Sequence, residues 1–215
     1  MSERSRGYSG NSLLVAAAQG GVTLASTEIQ EIRFKSRLAA AIDDVADESY
    51  RGNTVEDFLR YVEPKNFEAC MRFVEERGGI TQLLSAVDTL VELGNSKRDA
   101  PDIDSYVHAL LQEAMYFADQ FALSEEGPEL PQRQNFNKWL SAFSAGGYYV
   151  DAAVDMTKDH NNGTIRLAPS LRGRSQLLNL ASRSLVESTR YIRGTRLLLA
   201  IGATSLTTVL RSSQR

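Results

Sequence analysis

Arginine is the residue type through which this sequence offers the most chemistry. Arg183, Arg190, Arg193 and Arg196 span about 140° of a helical wheel at 100° per residue. Leu177, Leu180, Ala181, Leu185, Tyr191 and Ile192 occupy the other side. A guanidinium row backed by apolar residues makes a basic amphipathic helix, suited to an anionic membrane surface or to phosphates. The charge distribution agrees. Residues 161–215 hold nine Arg, no Lys and one acid, Glu187, a formal +8, while the first 160 residues carry −11. An acidic body with a basic tail is expected to dock on something anionic.

Groups for catalysis are sparse. The two histidines, His108 and His160, are isolated, the first on an apolar helix and the second beside a turn. Cys70 falls on the apolar face of a helix and reads as buried filler. The acidic runs Asp43-Asp44-Asp47-Glu48 and Glu75-Glu76 have the spacing of solvated helix faces, not of a metal cage. There is no glycine-rich phosphate loop, no paired-cysteine or paired-histidine metal spacing and no nucleophile elbow. The expectation is a protein without catalysis, cofactor or metal.

Helices must position the arginines. At 215 residues and 42% hydrophobic content the chain can bury one core. Its single cysteine excludes an intramolecular disulfide framework and fits a reducing compartment. The apolar patch Leu13–Ala18 is too short for a secretory signal, and no segment reaches the roughly 18 apolar residues of a membrane span. Periodicity predicts helices over 12–19, over 27–45 with Thr27 as N-cap, and over a short stretch from Thr54 that Pro64 stops. Further helices are expected to end at Gly78-Gly79 and at Gly94. Residues 103–123 are apolar almost all round and predict a central buried helix. The stretch 124–135 reads as a loop, 136–143 as a helix broken by Gly146-Gly147, and 174–195 as the basic helix. Only Thr164–Leu167 alternates like a strand.

The fold class expected is all-α: six to eight helices bundled around 103–123, followed by a basic, apolar-tipped tail. The divisions are a mobile segment with a short helix over 1–24, a helical bundle over 25–160, the basic helix over 161–196 and an apolar tip over 197–215. The uncharged run Leu197–Leu210, bracketed by Arg196 and Arg211, is about 21 Å long as a helix at 1.5 Å per residue. A hydrocarbon core is about 30 Å thick. A short anchor in a thin membrane and a buried core helix both remain open for it.

Three stretches together resemble the Bcl apoptosis-regulator family. Phe34, Leu38, Ala41 and Val45, with Asp43 as the acid, are similar to its third homology motif. The run from Gly78-Gly79-Ile80 looks like a first motif, although Gln82-Leu83-Leu84 stand where the family carries Trp-Gly-Arg. Trp139, Gly146, Gly147 and Tyr148 resemble the second motif: a Trp, a double Gly, then an aromatic. The resemblance implies a groove lined by Phe58, Phe67, Met71, Val74, Leu83, Val87 and Leu90. Amphipathic helices of partner proteins, its own family included, would bind there. It also implies a tail docked on an intracellular membrane, foremost the mitochondrial outer membrane, or a cytoplasmic protein if the tip is buried.

The other class of function is a viral or phage-type helical coat or matrix protein. Its Arg-rich tail would touch nucleic acid or a neighbouring subunit. The acidic body suits phosphate contacts less well, and Tyr191 is the only aromatic among the tail arginines available for stacking.

Overall fold

A computed structural model describes residues 10–47, 54–77, 79–126 and 129–192. Among these the protein is all-helical, with eight α-helices and no strand: α1 Gly10–Gln19, α2 Ser26–Asp47, α3 Val55–Leu59, α4 Phe67–Arg77, α5 Ile80–Arg98, α6 Ile103–Phe121, α7 Leu130–Asn161 and α8 Leu171–Thr189. A 3-10 turn, Pro64–Asn66, leads into α4. Thr164–Leu167 forms no strand. The chain divides into two compact units. Among the described residues, one holds those of 10–15 and 24–94; the other holds those of 16–23 and 95–192.

In the first unit α2 packs on α4 and on the 3-10 turn. Its inward face is Ile32, Phe34, Leu38, Ala41, Ile42 and Val45, all buried. The spacing of three and four residues puts these on one side of a helix. Each fully buried side chain of this kind contributes roughly 1.5–3 kcal/mol. The helix starts at Ser26, not after Thr27, and the Glu28 carboxylate accepts the Ala25 N–H at 2.9 Å. Thr54 does cap α3. Its Oγ1 accepts the Asp57 N–H at 3.1 Å and donates to Asp57 Oδ2 at 2.8 Å, satisfying one of the orphan donors of the first turn. Pro64, which cannot donate, then opens the separate 3-10 turn. Gly79, at φ 77°, closes α4, its N–H reaching the Val74 carbonyl at 3.1 Å. Helix α5 passes through Gly94 to Arg98, four residues beyond the expected stop.

In the second unit α7 packs against both α6 and α8. The shared core is Tyr106, Leu110 and Ala114 from α6, Tyr149, Ala152, Ala153 and Met156 from α7, and Leu177 and Ala181 from α8. Helix α6, expected to be buried all round, buries one face; Leu111 and His108 are exposed, and Met115, Tyr116 and Phe117 are half-buried. Helix α7 differs most from expectation. It runs 32 residues without a break, starting with Pro131 in its first turn and passing straight through Gly146-Gly147. Proline is tolerated at a helix start because its missing N–H has no partner there in any case. Gly146 persists for packing reasons: a Cβ there would lie 2.7 Å from Leu185 Cγ. Helix α8 starts at Leu171, capped by Ser170, whose Oγ accepts the Gly173 N–H at 3.0 Å. It ends at Thr189, earlier than the expected 195.

Candidate anion-docking face

Helix α8 turns a clean inside and outside. Gly173, Leu177, Ala181 and Ser188 are buried. About half a turn away lie the exposed residues. At 100° per residue, Arg172, Asn179, Arg183 and Arg190 fall within about 40° of one another, and all four are exposed. Beside them runs a second exposed row, Leu171, Leu178 and Val186, at 88%, 36% and 58% of full exposure. A single exposed leucine is unremarkable, but here three apolar side chains recur at seven- and eight-residue spacing along the flank of a basic row.

The arginines differ in their partners. Arg190 is committed to Glu187, Nη1 to Oε2 at 2.6 Å, and Tyr191 donates its hydroxyl to the other oxygen of Glu187 at 2.6 Å. That hydrogen bond, more than desolvation, raises the Tyr191 pKa. Arg174, further round the helix, donates to Thr157 Oγ1 at 2.5 Å. Arg172 and Arg183 make no ion pair with any described residue. Two uncompensated guanidinium groups thus share one exposed stripe. Between them lies a recess of about 440 Å³ lined by Arg172, Ser175, Gln176, Asn179, Leu180 and Arg183. Gln176 is steadied by Asp104, its Nε2 donating to Oδ1 at 2.8 Å. This brings one carboxylate, Asp104, against a residue that lines the recess.

The residues expected to act are placed as follows. Of the basic row, Arg183 and Arg190 stand on this face; Arg193, Arg196 and the apolar tip 197–210 lie outside the described residues. Phe34, Leu38, Ala41 and Val45 face the core and Asp43 is half-buried. The Arg72 guanidinium sits 4.8 Å over the Phe34 ring. Of the groove candidates, Phe58, Leu83, Val87 and Leu90 are buried, Phe67 and Val74 are half-buried, and Met71 is 40% exposed. Trp139 is buried between Phe136 and Phe143, stacked on the latter at 4.9 Å. Gly146 is pressed against Leu185, Gly147 is open, and Tyr148 packs 5.9 Å from Phe117.

A helix starting at residue 174 leaves out Leu171 and Arg172, which the structure places in the first turn of α8; Val186 lies inside the expected helix, and its exposure shows only in the packing. Ser170, three residues before Gly173, was the signal for the earlier start.

Among the described residues no cluster of His, Cys, Asp and Glu could hold a metal ion. No helix among them is long and apolar enough to cross a membrane. Burial, and then the charge of Asp44, pushes the Cys70 thiol up to about 12, far from a nucleophile's range. Comparison of the chain with family models, characterised proteins and solved structures gives no match.

Proposed function

We propose that this protein is a non-enzymatic docking protein that lies on an anionic membrane surface through the outward face of α8. The observation that carries the reading is the pairing of two unpaired arginines, Arg172 and Arg183, with the exposed row Leu171, Leu178 and Val186. Interfacial helices combine these features: apolar side chains enter the headgroup boundary while cations meet lipid phosphates. An anionic leaflet attracts each nearby arginine with a free energy equivalent to about fivefold in affinity. Arg190 contributes less, because Glu187 already neutralises it.

Nucleic acid is served less well by this face. Three exposed aliphatic side chains gain nothing from a phosphate backbone, and the one aromatic beside the described arginines, Tyr191, is half-buried with its hydroxyl on Glu187.

Membership of the Bcl family is the narrower form of the same proposal, adding partner-helix binding and mitochondrial docking. The buried Trp139 and the close seat of Gly146 on Leu185 support it as a packing pattern. The inward face of α2 and the burial of Phe58, Leu83, Val87 and Leu90 weigh against a ready seat for a partner helix in this conformation.

Co-sedimentation with vesicles tests the docking reading. Neutral phosphatidylcholine should leave the protein in the supernatant, and added phosphatidylserine should pellet it. The double variant Arg172→Gln, Arg183→Gln should weaken pelleting by about 30-fold at low salt. Raising the salt to 0.5 M should weaken the wild type similarly, since exposed charges are screened within a few ångströms there. Equal pelleting with neutral and anionic vesicles would sink the proposal.

A further inference from the structure

The recess on α8 has features beyond those that general surface attraction requires. A flat basic stripe suffices for phosphatidylserine, whose headgroup carries one net negative charge. Here the two unpaired arginines bracket a concavity of about 440 Å³, within the size range of small-ligand sites. We propose that this recess seats the phosphomonoester headgroup of a lipid, a doubly charged group presented by a phosphorylated polar lipid. The inference rests on the docking reading and specifies which lipid the face prefers.

The chemistry of the lining supports the choice. Arg172 and Arg183 are eleven residues apart, about 16 Å along the helix axis at 1.5 Å per residue. Both line the recess, one from each end along the helix. Each guanidinium offers a planar fork of N–H donors that matches two phosphate oxygens. Between them Ser175 supplies a hydroxyl and Asn179 an amide N–H, and both are exposed. Gln176 has one amide N–H spent on Asp104 and a second to give. A monoester, with a charge of about −1.5 to −2 and three terminal oxygens, uses both arginines and these neutral donors together. A diester, with one charge and two free oxygens, leaves one guanidinium unmatched. Asp104 sets the limit on the site: its carboxylate repels the anion, and its hydrogen bond to Gln176 holds it at the edge of the stripe.

The test compares vesicles of equal total surface charge, one set containing phosphatidylserine and the other a phosphatidylinositol monophosphate, with the full chain. The expected result is about tenfold tighter binding to the monophosphate vesicles. Soluble inositol bisphosphate should then compete with them, and Asn179→Asp should abolish the preference. Circular dichroism should show the variant as helical as the wild type, so that a lost preference is not lost folding. Equal binding to the two vesicle types overturns the headgroup inference and leaves surface docking standing. Binding to neither overturns both. A preference that survives Asn179→Asp and resists the soluble headgroup also overturns the inference, because the selectivity then lies elsewhere on the chain.

Discussion

Gly146 of α7 lies directly against Leu185 of α8: a β-carbon at position 146 would lie 2.7 Å from Leu185 Cγ and 2.8 Å from its Cδ2. Neither helix can turn there without losing the contact. The neighbouring glycine, Gly147, faces open space. The two therefore respond oppositely to one added methyl group. Gly146→Ala must displace a branched carbon, and overpacking of this kind costs roughly 1–3 kcal/mol, more than the gain of about 1 kcal/mol in helix propensity. Gly147→Ala keeps the gain without the clash. Urea unfolding should show the first variant destabilised and the second stabilised by up to about 1 kcal/mol. Equal shifts would mean that the two helices do not meet as described.

The apolar half of the α8 face is testable apart from its charges. Leu171 and Val186 are largely exposed, so replacing them removes little packing. Leu171→Asp with Val186→Asp should leave the thermal midpoint nearly unchanged. It should weaken vesicle binding by at least about tenfold, through lost insertion and added repulsion. A large fall in the midpoint would instead mark these side chains as buried in an interface.

Cys70 should be chemically silent in the folded protein. It is fully buried and its thiol is pushed up to about 12, so the thiolate is scarce at pH 8. Alkylation by iodoacetamide at pH 8 should be slow in buffer and rapid in urea. Rapid labelling of the native chain would show that the core around α2 and α4 opens readily.

Asp102 gives α6 a pH-dependent start. Its Oδ1 accepts the Ser105 N–H at 2.8 Å, and this backbone hydrogen bond holds its carboxyl below the usual aspartate range. The folded state then favours the ionised form. Its contribution is complete above the ordinary aspartate pKa and is lost as pH falls through the lowered folded value. Asp102→Asn keeps a cap but should flatten the acid side of the stability–pH curve. An unchanged acid limb in that variant would show that other carboxylates set it.

Much of the helical pattern can be read from residue types alone. Thr54, Pro64 and Gly79 mark boundaries that local chemistry dictates, and the structure places a cap or a turn at each. The failures share a cause, which is packing between distant segments. Gly146-Gly147 looks like a break because glycine is costly in a helix, yet Leu185, far along the chain, requires the missing side chain. Gly94 is likewise overrun by α5. Residues 103–123 look apolar all round, but wheel counts cannot tell a fully buried helix from one carrying Leu111 on its outer face. For the docking face, Arg183 and Arg190 were legible from spacing. Arg172 and the recess were not, since they depend on where α8 begins and on which arginines find acids.

The start of α8 is held unusually firmly. Gly173 is buried, and a β-carbon on it would lie 3.1 Å from Ser170 Oγ, 3.4 Å from Ile103 Cδ1 and 3.7 Å from Met156 Cε. The arginine row is therefore mounted like teeth on a fixed comb, its spacing set by the helix and not by its target. A fluid sheet of lipids can sort its molecules sideways until charges sit beneath each tooth. A polymer with its own repeat cannot, and would have to match the comb by accident. Rigidity in the protein thus selects for fluidity in the surface it meets.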